Sequence, residues 1–456
     1  MKNNSMLLLF DRKVRTKGLF IVIGLIWTLL FSGIPAPLDK TSGEKRPNII
    51  LIMADDMGYE TVGSYGSADY QTPQLDYLAK TGMRFKHAYS TPLCTPTRVK
   101  IMTGQYNFRN YTGFGKLRQG EYTFGHLAKE AGYKTFIAGK WQLAGGHSNP
   151  ENHPYQAGFD EYCLWRLIPG NYWDRYKNPT IMKNGELMQN VESKYGPDII
   201  THSVLHFIDR HESDPFFVYY PMILPHSPFQ PTPDHEKFDD FKIEGFSKNL
   251  YFDDMVHYID KLVGMIIRKL DEKGLRENTL IIFTTDNGTY KGIESSMKNG
   301  DTIVGGKGLP IETGTHVPLI VNWKGKVKPG SINSNLIDFS DFFPTLAEAM
   351  NIPVPDKVQT DGISFYNQLV GGVGPSRDWV FCHYHAGKER FPPAVYVHDK
   401  TWKLYESGGF YNIHKDPGEN HILNDNALSQ KAKEAKREFR LILDSLQREE
   451  ERLKRD

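Results

Sequence analysis

The sequence predicts an α/β fold in which a large, mostly parallel sheet is flanked by helices and followed by a smaller C-terminal α+β part. Three observations support this prediction. Short apolar runs of strand length alternate with helix-length segments over much of the chain. These runs are almost continuously apolar, which is typical of parallel strands that are buried on both faces. At 456 residues, the chain is also long enough for one large domain and a smaller one.

The first predicted strand covers residues 48–53 and stops at Ala54-Asp55-Asp56, so acidic residues stand at its carboxyl end. The remaining predicted elements are strand-like runs at 134–138, 216–220, 280–284 and 319–323, with helix-like segments at 197–211 and 252–273. In sheets of this kind, ligands bind beyond the carboxyl ends of the strands. We therefore expect the functional residues in the segments that directly follow these strands.

The C-terminal part differs in pattern from about residue 365 onward. It has strand-like pieces at 379–385, 394–398 and 402–405 and a charged helix at 429–454. Long charged side chains surround Leu441, Leu443 and Leu446 in that helix, which indicates a solvated amphipathic cover. The predicted division is a catalytic domain at 47–364 and an α+β subdomain with antiparallel strands and a terminal helix at 365–456.

The N-terminal segment is typical of a secretory signal. Basic residues precede an uncharged apolar run at 19–31, and small residues follow near Ala36. We expect residues 1–36 to be this signal and residues 37–46 to be a linker. The run is short for a membrane span of about 20 residues, but an uncleaved anchor remains the alternative. The sequence therefore predicts export to the periplasm, the cell surface or the medium, with membrane contact only through such an anchor.

The overall charge excludes some classes of partner. Lys plus Arg number 55 against 54 Asp plus Glu, a net charge of +1, so no global field recruits nucleic acid. An anionic substrate must be bound locally. The cysteines, Cys94, Cys163 and Cys382, form no disulfide framework. A bridge between Cys163 and Cys382 is conceivable, and two free structural thiols are the simpler interpretation.

Two acidic motifs follow predicted strands: Asp55-Asp56 after the first and Asp286-Asn287-Gly288 after the run at 280–284. Four hard oxygen ligands from neighbouring strand ends suit Ca²⁺ or Mg²⁺ better than zinc, which prefers His or Cys. Either motif alone is more often a turn or a helix cap. Together they predict a metal site.

A second constellation is the run Cys94-Thr95-Pro96-Thr97-Arg98. We expect a helix to start here, with Thr95 as the cap and Pro96 in the first turn, so that the helix dipole favours an anion beside Cys94. Arg98, one turn further on, would face the same site. The alternative is a buried structural cysteine. A tyrosine-phosphatase-type thiolate is excluded because that loop needs Arg six positions after its Cys, where this chain has Lys100.

At these residues the chain resembles the sulfatases of the alkaline phosphatase superfamily, whose signature is Cys-x-Pro-x-Arg followed by a helix that ends in Thr-Gly, here Thr103-Gly104. The resemblance extends from residue 46 to the C-terminal region. It implies an alkaline phosphatase-like fold, and a maturation enzyme that oxidises Cys94 to formylglycine, whose hydrated form is a geminal diol. It also implies one metal ion, usually calcium, held by the following residues: Asp55, Asp56, Asp286, Asn287 and modified Cys94.

The resemblance further assigns Arg98 and Lys140, in Gly139-Lys140-Trp141, to orienting and stabilising the diol. His226 matches a histidine that contacts the sulfate and the leaving oxygen, and Lys307 matches a sulfate-binding lysine. Without this context, each would be an ordinary loop residue.

One position departs from the family pattern. The residue after Gly-Lys-Trp is usually His, thought to act as the base when the sulfated diol collapses, but here it is Gln142. Glutamine has no titratable group near neutrality and so cannot be that base. Either another group serves, with His147 as a speculative candidate, or the second step is slow.

The favoured function is hydrolysis of sulfate esters on a sulfated polysaccharide or its oligosaccharides. Two segments rich in aromatic and basic residues, 155–176 with Trp165, Arg166 and Trp173, and 383–391, suit sugar stacking, although they equally suit a seal between domains. One alternative is a phosphomonoester or phosphodiester hydrolase on the same fold, which would normally use Ser or Thr and a zinc pair. Another is a weakly active protein that binds sulfated glycans, which only Gln142 supports.

Overall fold

The computed structural model describes residues 45–167, 174–242, 249–387 and 391–455. In chain order the strands are β1 (Asn48–Ala54), β2 (Met83–Tyr89), β3 (Lys134–Lys140), β4 (Glu161–Trp165), β5 (Ile181–Lys183), β6 (Glu186–Leu187), β7 (Phe216–Pro221), β8 (Thr279–Thr285), β9 (Glu294–Ser296), β10 (Thr302–Val304), β11 (His316–Trp323), β12 (Ser331–Asp338), β13 (Val380–Tyr384), β14 (Ala394–His398), β15 (Trp402–Tyr405) and β16 (Phe410–Asn412). The α-helices are α1 (Pro73–Thr81), α2 (Cys94–Thr103), α3 (Asn107–Asn110), α4 (Phe124–Glu130), α5 (His153–Gln156), α6 (Gly196–Arg210), α7 (Phe252–Glu272), α8 (Glu312–Thr315), α9 (Phe342–Ala349), α10 (Tyr366–Leu369) and α11 (Gln430–Leu453).

A large mixed sheet forms the centre of the molecule, with the strand order β12-β2-β11-β8-β1-β7-β3-β4-β5-β6. Its middle strands, β8, β1, β7, β3 and β4, are parallel to one another, and β1 pairs Ile50 with Ile281 on one side and with Val218 on the other. All seven residues of β1 are buried, as expected for a strand covered on both faces. The predicted fold class is therefore confirmed.

The element predictions hold closely at several positions. Helices α6 and α7 and strands β1, β3, β7 and β8 lie where apolar periodicity placed them. The run at 319–323 is also a strand, β11, but it is antiparallel to both β8 and β2. Strand direction depends on the route of the connecting chain, which an apolar run does not encode.

Hydrophobic cores lie on both faces of the sheet. On one face, α7 packs Met255, Ile259 and Leu262 against β-strand residues such as Ile50. On the other face, α2 and α9 contribute Val99 and Phe343 to a core that includes Leu51 from β1. Alternate residues of the same strand thus point into different cores, which explains why the strand sequences are apolar at every position.

The C-terminal strands β13–β16 form a separate antiparallel sheet, and α11 covers it. Phe439 and Leu443 of this helix are buried and Leu446 packs beside them, whereas Leu441 is 64 % exposed. The amphipathic cover is thus observed, with Leu441 on its solvent side. The domain boundary near residue 365 remains a prediction. Cys163 and Cys382 are both free and buried.

Gly139 allows the close approach of β3 and β7. Its φ is +124°, and a Cβ atom at this position would lie 1.9 Å from the carbonyl oxygen of Pro221. Only glycine accommodates both the backbone conformation and this contact. It thereby fixes the position of the next residue, Lys140, at the carboxyl end of β3.

The proposed signal at 1–36 lies outside the described residues, as does most of the proposed linker at 37–46. Within the described part of the chain, no helix is both long enough and apolar enough to cross a membrane.

Candidate active site

The carboxyl ends of four adjacent strands, β8, β1, β7 and β3, meet at one edge of the sheet. Asp286 follows β8, Asp55 follows β1, His226 lies in the loop after β7, and Lys140 ends β3. The backbone N–H of Asp55 donates to Leu224 O at 2.8 Å, and that of Asp286 donates to Ala54 O at 3.0 Å. These bonds hold the segments that follow the strands against each other. The sequence-predicted residues are therefore brought together.

Helix α2 brings Cys94 and Arg98 to the same edge. The helix begins at Cys94, with Leu93 as its N-cap, so the expectation that Thr95 caps it is wrong. The reason is that Thr97, not Thr95, bonds back to the preceding chain, donating to Leu93 O at 3.0 Å. Thr95 Oγ1 instead accepts from Gly115 N at 3.2 Å. Cys94 is thereby the first helical residue, where the N-terminal partial charge favours an anion.

Three carboxylates at this edge are matched by three cationic side chains. Lys140 Nζ donates to both oxygens of Asp55 at 2.8 Å. Arg98 Nη2 donates to Asp286 Oδ2 at 2.8 Å, and Lys307 Nζ donates to Asp56 Oδ2. Each carboxylate is thus paired with one cation. The residues of the three pairs are Asp55, Asp56, Asp286, Arg98, Lys140 and Lys307.

The pKa values of two neighbouring carboxyls, those of Asp55 and Asp286, shift in opposite directions. Burial alone would raise the pKa of Asp55, but the charge of Lys140 and those of other nearby cations hold it well below its usual range. Burial, followed by the charge of Asp55, raises the pKa of Asp286. Two carboxylates this close repel each other, so a bound cation would favour ionisation of both.

The oxygen atoms at this edge fit a divalent metal ion. Ligand atoms of Asp55, Cys94 and Asp286 lie within 4.8 Å of one another, as do those of Asp55, Asp56 and His226. Asn287 donates its Nδ2 to Asp56 Oδ1 at 2.9 Å, while its Oδ1 is buried without a hydrogen-bond donor among the described residues. A buried, unsatisfied amide oxygen beside crowded carboxylates is the donor set that a hard cation requires.

His226 and Lys307 face each other across Asp56. His226 Nδ1 lies 2.5 Å from Ser227 O, which places the ring proton on Nδ1 and leaves Nε2 to accept from Lys307 Nζ at 3.1 Å. Nε2 is also 3.5 Å from Asp56 Oδ2. Burial, then the charges of Lys307 and Arg175, lower the pKa of His226 well below its ordinary value. The ring is therefore neutral before an anion enters.

Gln142 lies directly beside Cys94. Its backbone is left-handed, with φ of +51°, and Cys94 Sγ is 3.5 Å from its Oε1. Gln142, Phe114, His147 and Arg166 help to line a cavity of about 290 Å³. His147 Nε2 lies 3.2 Å from Leu117 O, and its ring packs 3.8 Å from that of His153. His147 thus shares the cavity with Gln142, but its resolved contacts are structural.

The Cys94 thiol is not suited to act as a nucleophile. Burial raises its pKa, although the charge of Lys140 partly offsets that effect. A neutral, buried thiol is inert, unlike the low-pKa cysteines of thiol enzymes.

The predicted aromatic surface is largely interior. Trp165 and Tyr176 are buried in a hydrophobic core, and Trp173 lies outside the described residues. In the other segment, His383 lies 3.5 Å from Glu450 of α11. Arg175, a buried arginine beside the His226 loop, lies within the predicted segment 155–176 but was not singled out there, since no local motif marks it.

The fold and this edge of the sheet fit a hydrolase of anionic esters. The chain belongs to the sulfatase family: residues 47–352 match the family model described as Sulfatase, and residues 306–447 match that of the N-sulphoglucosamine sulphohydrolase C-terminal region. It is thus a sulfuric ester hydrolase. The family match favours sulfate esters over the phosphate esters of the alternative hypothesis.

Two curated relatives and one solved structure illustrate the similarity. The chain is 30 % identical to N-acetylgalactosamine-6-sulfatase of Canis lupus familiaris, over 76 % of this chain and 70 % of that protein. It is 28 % identical to N-acetylgalactosamine-6-O-sulfatase of Bacteroides thetaiotaomicron, over 77 % and 82 % respectively. BT4656, solved with its substrate D-glucosamine-2-N,6-O-disulfate, shares the fold with a TM-score of 0.72 at 22 % identity, covering 89 % of this chain and 98 % of that one.

Proposed function

We propose that this enzyme hydrolyses sulfate esters of a sulfated polysaccharide or its oligosaccharides through a formylglycine derived from Cys94. The observation that carries the proposal is the position of Cys94 at the start of α2, beside three cations that face three carboxylates. The similarity to N-acetylgalactosamine-6-sulfatases supports a sulfated sugar as the substrate.

The cations bind and orient the sulfate. Lys140, Lys307 and Arg98 stabilise negative charge where it moves during transfer. In the hydrated formylglycine, one hydroxyl attacks sulfur in line, and the bond from sulfur to the sugar oxygen breaks. His226 acquires a proton once the anion offsets the neighbouring positive charges, and it donates that proton from Nε2 to the departing alcohol.

The metal is proposed to be Ca²⁺, held by Asp55, Asp56, Asp286, Asn287 and the modified Cys94. When bound, it supplies Lewis-acid polarisation and charge compensation. All of the protein ligands are oxygen donors once Cys94 has been converted, as Ca²⁺ prefers.

Release of sulfate is the step for which the site offers the fewest side chains that could transfer a proton. The sulfated diol would collapse to the aldehyde when its second hydroxyl loses a proton to water and the carbon–oxygen bond to sulfate breaks, and addition of water would then restore the diol. Gln142 can orient that hydroxyl through its amide but cannot take the proton. We therefore propose that this step limits turnover.

Maturation and location are also proposals. A formylglycine-generating enzyme would modify Cys94, and the basic and apolar composition of residues 1–36 supports export to the periplasm, cell surface or medium. An uncleaved N-terminal segment is the proposed route to any membrane contact.

The nucleophile is tested by Cys94→Ala in enzyme that has been expressed with a maturation system. We expect this variant to release no sulfate from sulfated oligosaccharides while keeping the wild-type melting temperature when both proteins are measured in EDTA, because the missing group reacts but does not support the core. Mass spectrometry of the wild-type peptide that contains Cys94 should show the thiol converted to the aldehyde.

The matched control is Cys163→Ala, which removes another buried free thiol and should leave sulfate release intact. An unmodified thiol at Cys94 in active enzyme, or full activity of the Cys94→Ala variant, would refute the proposal. Phosphate esters of the same sugars, assayed in parallel, separate a sulfatase from a phosphoesterase.

A further inference from the structure

Arg175 lies beside the proposed catalytic residues. It follows β4, whose last residue, Trp165, pairs in register with Lys140. The Arg175 guanidinium carbon lies 4.3 Å from the centre of the Trp165 ring. The next residue, Tyr176, donates its hydroxyl to Ile223 O at 2.9 Å and also to His226 O. Arg175 is thereby held between the end of β4 and the His226 loop.

The Arg175 guanidinium is buried and packs on the rings of Trp165 and Tyr176, without a carboxylate partner among the described residues. The residue is 2 % exposed, and its Nε and Nη1 atoms have no hydrogen-bond acceptor among the described residues. Nor does it form an ion pair with any described carboxylate; Asp174, its neighbour, accepts instead from Trp165 Nε1 at 3.4 Å and Thr180 Oγ1 at 2.5 Å. Burying an unpaired charge is unfavourable unless a ligand provides the counter-charge.

The contrast with the other cations indicates what that ligand is. Arg98, Lys140 and Lys307 each contact a carboxylate, so those charges are balanced in three pairs. Arg175 adds one positive charge in excess of this balance. Arg175 also lies beside the His226 loop, because the adjacent Tyr176 donates its hydroxyl to His226 O. The acceptor therefore binds next to the leaving-group side of the site.

We propose that Arg175 is a specificity-determining residue that binds a second anionic group, a sulfate or a carboxylate, on the sugar that carries the ester to be cleaved. The inference rests on the proposed sulfatase function. Planar guanidinium N–H groups suit the oxygens of either anion, and stacking on Trp165 fixes the plane of the guanidinium before the substrate arrives.

The test compares Arg175→Gln and Arg175→Lys with the wild-type mature enzyme. The substrates are a sugar with one sulfate, the same sugar with a second sulfate, a sulfated uronate, and 4-nitrophenyl sulfate. We expect Arg175→Gln to raise KM about 10- to 100-fold for the substrate class with the second anion that Arg175 binds, with kcat nearly unchanged. The singly charged substrates should be little affected, and Arg175→Lys should recover part of the affinity. The disulfate and the uronate distinguish the two anions.

A purely structural role predicts a different result. If Arg175→Gln lowers activity equally on all four substrates, or changes none of them, the proposal is overturned. Arg210→Gln, which removes an exposed arginine paired with Glu161, is the matched control. Melting temperatures identify a variant that fails to fold, and Arg175→Lys then provides the comparison.

A binding measurement separates this proposal from the proposed catalysis. Calorimetry compares the affinity of Cys94→Ala and Cys94→Ala/Arg175→Gln for the disulfated and the uronate sugars. A 10- to 100-fold weaker affinity of the double variant for one of them supports Arg175 even if the wild type hydrolyses no ester. Equal affinities for both sugars refute the role of Arg175, whatever the enzyme's activity.

Discussion

Gln142 combines two unusual features at the scale of one residue. Its backbone is in the left-handed region, which is uncommon for a residue other than glycine, and its amide oxygen faces the Cys94 sulfur at 3.5 Å. A residue in this strained backbone conformation is held there by its surroundings, which fix the position of the Gln142 side chain. In the proposed mechanism, Gln142 would orient the group at position 94 but could not serve as the base of the second step.

Replacing Gln142 with His tests whether the lack of a base at this position slows the second step. We expect Gln142→His to retain or raise kcat for sulfate release, because imidazole adds a base where the amide has none. With the ordinary histidine pKa near 6.5, the kcat of the variant should fall as pH decreases through about 6.5, where the base becomes protonated. Steady-state kinetics between pH 5 and 8, about 1.5 units on either side of that pKa, measures both effects.

Gln119→His is the control for adding a histidine near the site, since Gln119 helps to line an adjacent cavity. A more than tenfold loss of kcat in Gln142→His alone would show that the glutamine has a positioning role of its own.

Residues in local motifs were predictable, whereas residues defined by distant partners were not. Asp55 and Asp286 follow apolar strands, and their convergence follows from the parallel sheet. Arg175 has no such signal, because its burial depends on Trp165 and on the loop after β7. The Thr95 cap was wrong because the helix starts earlier, with Leu93 as its N-cap, and Thr95 Oγ1 accepts from Gly115 N, a contact that only the folded chain makes.

At the scale of elements, the contact between β3 and β7 positions Lys140. Gly139 lets the two strands approach, and the Lys140 side chain then reaches Asp55 at the end of β1. The presence and bounds of these strands followed from apolar runs, but the antiparallel direction of β11 did not. Pairing direction is a property of connections rather than of composition.

Gly139→Ala should destabilise the protein and impair catalysis together. The added Cβ would clash with Pro221 O, so the strands must separate and shift Lys140. We expect a loss of about 1–3 kcal/mol beyond that of Gly185→Ala. Gly185 also has positive φ, +90°, but a Cβ there would meet no atom within 4 Å. Urea unfolding compares the two variants, and equal losses would contradict the assigned role of this contact.

At the scale of the whole molecule, the crowded carboxylates at the ends of strands β1 and β8 form a candidate metal site, so binding of an ion there would be linked to global stability. Any ligand that binds only the folded chain stabilises it, by about 2.7 kcal/mol when present at 100 times its Kd. The sheet was predictable from its short, continuously apolar runs, and the covering helix α11 from its amphipathic pattern. The link between metal binding and stability was not predictable in this way, because it depends on ligand atoms that folding brings together from separate strands.

Chelation should therefore lower the melting temperature, and added Ca²⁺ should restore it. Asp286→Asn removes one charged ligand and should largely abolish the shift, whereas Asp240→Asn at an exposed position should preserve it. Thermal denaturation in EDTA, Ca²⁺ and Mg²⁺ makes the comparison. An equal Ca²⁺ shift in both variants would place the ion elsewhere.

The complete burial of α2 has a consequence for timing. All ten residues of this helix are buried, from Cys94 to Thr103, with the core around Phe343 on one side. Another protein cannot reach Cys94 once the helix has packed into the core. The proposed oxidation of Cys94 would then have to follow synthesis and precede folding, so a chain that folds too early would keep its thiol and lack the proposed nucleophile.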